Sequence, residues 1–160
     1  MARWLMLLFA LSLCVLPGLV SARRARRPFH IQGRVYCDTC RCGFETPKTT
    51  YIPGARVRIE CQDRATLQLR YSVEGVTDST GTYKIKVEDD HLDELCYATL
   101  VSSPVANCRR ADPGRSRSEV VLTRNNGAIS NLHFANSLGY FRDEPLSGCA
   151  ELVKHLLESE

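Results

Sequence analysis

The chain has 160 residues, with 21 Lys and Arg against 18 Asp and Glu, a net charge of +3 and 44 % hydrophobic residues. Arg23, Arg24, Arg26 and Arg27 stand together near the N-terminus, so the surplus charge belongs to that cluster and the remainder is slightly acidic. That distribution excludes a nucleic-acid-binding face.

Arg3, the apolar run Trp4 to Val15, the break at Pro17-Gly18 and the small residues Val20-Ser21-Ala22 read as a secretory signal peptide over residues 1–22. The run is too short for a membrane span, and no later stretch is long and apolar enough to be one. The mature chain is therefore expected to be secreted and soluble, with Cys14 lost in the leader. Residues 23–28 read as a basic flexible tail; Arg24-Ala25-Arg26-Arg27 also has the form of a dibasic processing site. Residues 29–160 suffice for a single domain with its own core.

In chain order, Phe29, Ile31, Val35 and Cys37 alternate with His30, Gln32, Arg34 and Tyr36, the period of a half-buried strand. Gly33 interrupts the apolar face, which predicts a bulge or a close approach. Gly43 to Tyr51 reads as loop and Pro53-Gly54 as a turn. Ala55 to Cys61 is the cleanest alternation in the chain, small or apolar inward and charged outward. After the polar connection Gln62 to Thr66, Leu67, Leu69, Tyr71 and Val73 share a face. Asp78-Ser79-Thr80-Gly81 is a turn, with Gly81 free to take a positive φ. Tyr83, Ile85 and Val87 continue it as the second arm of a predicted hairpin.

The acidic run Glu88 to Glu94 precedes a strand at Cys96 to Ser102. An Arg-rich polar loop, Asn107 to Ser118, leads to a strand at Glu119 to Thr123, a turn at Asn125-Asn126-Gly127 and a weak strand within Asn131 to Ala135. The period then changes. Cys149, Leu152, Val153 and Leu156 fall at i, i+3, i+4 and i+7 of a helix, with Ser147 as its candidate cap. Short strands separated by Gly and Pro turns predict an all-β antiparallel sandwich or barrel with a short C-terminal helix.

The segment Gln32 to Arg41 runs from strand into Cys37-Asp38-Thr39-Cys40, and five more cysteines follow singly at Cys42, Cys61, Cys96, Cys108 and Cys149. A zinc site wants a second close ligand pair, whereas His30, His91, His133 and His155 are scattered; no metal is expected. A redox CxxC would open a helix in a βαβ setting, which is missing. Secretion favours a disulfide framework, whose connectivity the spacing leaves open.

Gly33-Arg34-Val35-Tyr36-Cys37-Asp38-Thr39-Cys40-Arg41 resembles the signature of the Ole e I family, the olive-type major pollen allergens and their pollen-specific relatives. Gly43-Phe44, Ile52-Pro53-Gly54-Ala55, Val87 to Cys96 and Gly139-Tyr140-Phe141 are also similar to that family, as are the order and spacing of six cysteines. The resemblance implies a seven-stranded antiparallel β-barrel or sandwich, with bridges Cys37–Cys108, Cys40–Cys149 and Cys61–Cys96. Cys42 then stands over as an unpaired cysteine, where relatives usually carry a small residue. It is read as a free or partly blocked thiol, with a Cys42-linked dimer of an otherwise monomeric protein as the alternative. No Asn-x-Ser/Thr triplet occurs, so N-glycosylation is expected to be absent. A weaker likeness, Thr77-Asp78-x-x-Gly81-x-Tyr83, to extracellular prealbumin-like sandwiches supports the fold alone.

Catalytic signals are thin. The run Glu88 to Glu94 is too contiguous for calcium and lacks the glycine of an EF-type loop, so it reads as a solvated connection; Asp90-His91 gains a structural or interaction role only through the resemblance. GxSxG, HExxH and phosphate-loop patterns do not occur. Cys42 beside Arg41 has the form of an activated thiol, without a catalytic His that can be placed. The protein is therefore read as a non-enzyme without a cofactor.

Through its resemblance it is expected to act in pollen hydration, germination or tube growth, as a ligand of a receptor kinase ectodomain. A module binding cell-wall polysaccharide or glycoprotein is the alternative. Tyr36, Tyr51, Tyr140 and Phe141 are candidate sugar-stacking surfaces, although core packing accounts for each. A protease inhibitor presenting the loop Arg109 to Ser118 is a third reading. The expected location is the extracellular space or cell wall.

Overall fold

The computed structural model describes residues 28–158. The leader at 1–22 and the basic residues 23–27 lie outside them. Ten strands and one helix follow in chain order: β1 (Phe29–Asp38), β2 (Thr50–Tyr51), β3 (Arg56–Asp63), β4 (Leu69–Val76), β5 (Thr82–Val87), β6 (Glu94–Ser102), β7 (Arg110–Ala111), β8 (Arg117–Val120), β9 (Leu132–Phe134), β10 (Leu138–Phe141) and α1 (Cys149–Glu158). Seven strands of four residues or more form the body, and the two- and three-residue segments β2, β7 and β9 trim its edge.

The strands make a sandwich of two sheets, as two half-apolar sheets must to hide their inner faces. The first is organised around β1. Its N-terminal half pairs with β5 antiparallel and β9 parallel; its C-terminal half pairs with β2 antiparallel and β10 parallel. The second sheet is antiparallel throughout, in the order β4-β3-β6-β8. Ile31, Val35, Val57, Ile59, Ala98 and Leu138 are fully buried between the two.

The alternation in β1 holds to Arg34 and then stops, because Val35 to Asp38 is buried on both faces. β3 keeps its alternation as far as Cys61, with Val57, Ile59 and Cys61 inward and Arg56 outward. Gly33 answers to a close approach and not to a bulge: it stands opposite Tyr83 in the β1–β5 register, and any Cβ there would overlap the Tyr83 hydroxyl.

Four expectations need correction. The predicted hairpin over residues 69–87 is not one, because β4 pairs with β3 while β5 pairs with β1. The connection crosses between the sheets, drawn there by Thr77, whose hydroxyl donates to the Ile52 carbonyl at 2.6 Å and accepts from the Ala55 amide at 2.8 Å. Gly81 has φ 73° and room for no side chain, since a Cβ would stand 2.6 Å from that of Tyr51.

The architecture is also not purely antiparallel. Periodicity carries no strand direction, and the chain returns from the second sheet to enter β9 and β10 alongside β1. The strand predicted at 119–123 is shifted to β8, with Leu122 instead fixing a loop by accepting from the His91 amide. Finally, Gly148, with φ 72°, precedes α1, and Ser147 contributes its carbonyl to the Lys48 ammonium at 2.5 Å.

Candidate functional site

The segment from Cys37 to Gly43 folds around one carboxylate. Asp38 is fully buried; its Oδ1 accepts the Cys40 amide at 3.1 Å and its Oδ2 the Gly43 amide at 2.7 Å. Closing that short loop forces positive φ on Arg41 (56°) and Gly43 (84°). The two cysteines of the CxxC leave in different directions. Cys37 is bonded to Cys108 and Cys40 to Cys149, with Cα separations of 6.0 and 5.2 Å. The first bridge joins β1 to the Arg-rich segment, and the second fastens α1, whose Leu152, Val153 and Leu156 are only half-buried.

Cys61 and Cys96 form the third bridge across directly opposed positions of β3 and β6. Their sulfurs lie near His91 and Glu94, all four ligand-type atoms falling within 4.8 Å of one another. A disulfide sulfur is not a thiolate ligand, so the cluster lacks half of a zinc shell.

Cys42 remains a thiol among the described residues. Burial pushes its pKa up, with a backbone hydrogen bond at Phe44 opposing the rise and the Asp38 carboxylate adding to it. The activated-thiol expectation is thereby corrected: the neighbour that matters is an anion. The Arg41 guanidinium turns away, donating to the Asp143 carbonyl at 2.8 Å.

The acidic run is more structural than its sequence suggests. His91 is buried, its Nδ1 3.0 Å from Glu94 Oε2 and its Nε2 3.0 Å from the Glu88 carbonyl, with Tyr71 against the ring. Partial burial disfavours the Asp90 carboxylate, but the Arg124 and Leu92 amides and the Arg124 charge outweigh it and hold its pKa below the ordinary value.

Of the four aromatic candidates, Tyr36 and Tyr140 are core residues. Arg34 covers a face of Tyr51 at 3.3 Å from the ring centroid, and Arg41 and Arg110 flank Phe141 at 5.9 and 5.4 Å. The loop imagined for a protease inhibitor is shortened by β7 and β8, and Asp112 folds what remains through the Gly114 amide.

Two surface features assemble residues that the sequence did not bring together. One is an open groove of about 500 Å³, floored by Tyr36 and walled by Phe44, Glu45, Arg115, Asn136 and Ser137. Burial pushes the Tyr36 hydroxyl up to about 12, opposed by Arg115 and reinforced by the carboxylates of Asp38, Asp112 and Glu45. Three separate segments build this groove, so no local pattern announces it. The other is the outer edge of the second sheet, where β4 carries Leu69 and Val76 at 57 % and 59 % exposure, with Leu67 at 61 % just before it. The charged side chains of β4, by contrast, are paired, Glu74 to Arg56 and Arg58 of β3 and Arg70 to Asp63.

Comparison with known proteins gives a consistent result. The family model described as "Pollen protein Ole e 1 like" matches residues 27–157. The chain is 55 % identical to Protein DOWNSTREAM OF FLC of Arabidopsis thaliana over 91 % of its own length and 88 % of the relative's. It is 48 % identical to pollen-specific protein C13 of Zea mays, covering 91 % and 86 % of the two chains. With anther-specific protein LAT52 of Solanum lycopersicum the identity is 36 %, over 98 % and 96 %. The crystal structure of the major plantain pollen allergen Pla l 1 superposes with a TM-score of 0.70 at 26 % identity, covering 77 % of this chain and all of that one.

Proposed function

This chain belongs to the Ole e 1-like family of pollen proteins, and from that premise we propose that it is a secreted, non-catalytic ligand that acts by recognising another extracellular protein. The observation that carries this reading is the edge of β4. An outer strand keeps a row of unpaired backbone donors and acceptors, and Leu67, Leu69 and Val76 add apolar side chains along it. Strand addition by a partner would pair the first and bury the second. The three bridges support the same reading, since a stapled scaffold presents such an edge with little ordering cost.

Secretion is supported by those disulfides together with the leader-like residues 1–22. Among the described residues no helix is long and apolar enough to cross a membrane. The partner class proposed is a receptor kinase ectodomain of the reproductive tissue, in keeping with the pollen and anther names of the relatives.

The test is titration of receptor kinase ectodomains, at physiological salt, with the intact protein and with its Leu67→Asp/Leu69→Asp form. Saturable binding to one ectodomain, weakened about tenfold or more in the variant, is expected; losing two buried apolar contacts at a binding centre is worth that much. Undiminished binding by the variant would move the contact elsewhere. Steady release of sugars or peptides from wall material by the pure protein would overturn the non-catalytic reading.

A further inference from the structure

We propose that the groove over Tyr36 is a second binding site, for an acidic saccharide built of hexuronate units. It lies by the β1 sheet, away from the β4 edge in the second sheet, and requires nothing of the protein-recognition reading.

The walls are fixed before any ligand arrives. Arg115 is held by three contacts: its amide donates to the Asp112 carbonyl, its carbonyl accepts from the Gly139 amide, and its Nε donates to the Gly43 carbonyl at 3.1 Å. The side chain is thus aimed by its Nε, which leaves the two terminal nitrogens of the fork for another acceptor. No carboxylate of the described residues comes within salt-bridge distance of it. Glu45 is set in the same manner. Its Oε1 accepts from the Tyr51 hydroxyl at 2.8 Å, and Tyr51 is in turn held under Arg34. That bond dominates a rise in the Tyr51 pKa, so the carboxylate is the acceptor and its second oxygen keeps its lone pairs.

The groove therefore offers a guanidinium fork, a carboxylate acceptor, the exposed amide of Asn136 and the hydroxyl of Ser137, with the Phe44 ring as an apolar wall. A volume near 500 Å³ is in the range of small-ligand sites, about 300–1,000 Å³, but such sites are usually mostly apolar. This one is mostly polar, which excludes a lipid or terpene.

The pair of opposite charges narrows the choice. A bare anion satisfies Arg115 and is repelled by Glu45. A neutral sugar gives hydroxyls to Glu45 and leaves the fork without its bidentate partner. A hexuronate ring carries both groups, a carboxylate for Arg115 and hydroxyl donors for Glu45 and Asn136, around a pyranose with an apolar face for Phe44.

The experiment is calorimetric titration of the disulfide-intact protein with tri-galacturonate, with maltotriose and succinate as the neutral and the bare-anion arms and a Glu-rich peptide as the protein-like arm. Tri-galacturonate is expected to bind saturably and at least about tenfold more tightly than the other three, with binding falling as salt is raised. Arg115→Gln and Asn136→Asp, both at exposed positions, are each expected to weaken it about tenfold while the folded state, read from the circular-dichroism spectrum, and ectodomain binding stay unchanged. Failure of tri-galacturonate to bind, equal binding of maltotriose, tighter binding of the peptide, or full binding by Arg115→Gln would each overturn the proposal. None of these outcomes bears on the β4 edge, so the two readings fail separately.

Discussion

Two loops of this protein look like chemistry in sequence, and they turn out to be built in opposite ways. Residues 37–43 carry a CxxC and a third cysteine; residues 88–94 carry five acids and a histidine. The first is organised from inside, around a fully buried Asp38 that accepts two amides, and is clamped by two bridges to distant segments. The second is organised by its neighbours. His91 tucks under Tyr71 beside the Cys61–Cys96 bridge, Asp90 takes the Arg124 amide, and Glu88 stays in solvent beside Lys86. Both use polar groups to hold backbone. The lesson is that reactive-looking residues in a stapled β-sandwich are spent on loop geometry, while the surfaces open to partners lie elsewhere.

The comparison predicts that damage to the first loop costs more than damage to the second. Among substitutions, replacing both Cys40 and Cys149 by Ala should have the largest effect, a loss of about 2–4 kcal/mol measured by denaturant melts, because the bridge closes a separation of 109 residues. Reduction of all three bridges should lower the midpoint further; an unchanged midpoint would contradict the framework. Asp38→Ala comes next, at about 2–3 kcal/mol, since one buried and one half-buried amide lose a charged acceptor. In the second loop, His91→Ala should cost less than Asp38→Ala, and a larger loss there would reverse the comparison.

Smaller effects sharpen the picture. Burial lowers the pKa of His133, whose Nε2 is buried without a partner, so the folded state prefers the neutral ring. Its contribution is present above the unfolded value near 6.5 and is lost as pH falls through the folded one. Acidification from pH 7 toward 5 should destabilise the wild type more than His133→Phe, as read from melts across that window. Cys42→Ala should be close to neutral, and Cys42 should alkylate slowly at neutral pH because burial raises its pKa.

Much of this was legible in the residues, and the rest was not for physical reasons. β3 could be placed to within two residues because one face meets the core and the other meets water, so burial follows the side-chain period. β10 could not, because Leu138, Gly139 and Tyr140 are all buried and leave no alternation. The resemblance to the family pointed to that stretch only as a motif. Strand direction and sheet membership have no local signal, which is why the segment over 69–87 read as a hairpin when Thr77 carries the chain from one sheet to the other.

Leu67 and Leu69 read as sharing a face with Tyr71 and Val73, yet only the latter two reach the core: Leu67 lies just before β4 with φ 56°, and the β3–β4 register shifts between Cys61 and Gln62, so Leu69 leaves the inner face. The groove was beyond reach for a different reason. Glu45, Arg115 and Asn136 meet only after the Cys37–Cys108 bridge and the β1–β10 ladder have brought three segments together.

The central claim, that this protein recognises a partner through the β4 edge while its cysteine-rich loop is scaffold, is tested most directly by hydrogen exchange of the intact protein with and without a bound receptor kinase ectodomain. The account predicts slowed exchange of backbone amides along residues 67–76, with residues 37–43 and 88–94 unchanged. Protection confined to either of those two loops, with none along β4, would contradict it.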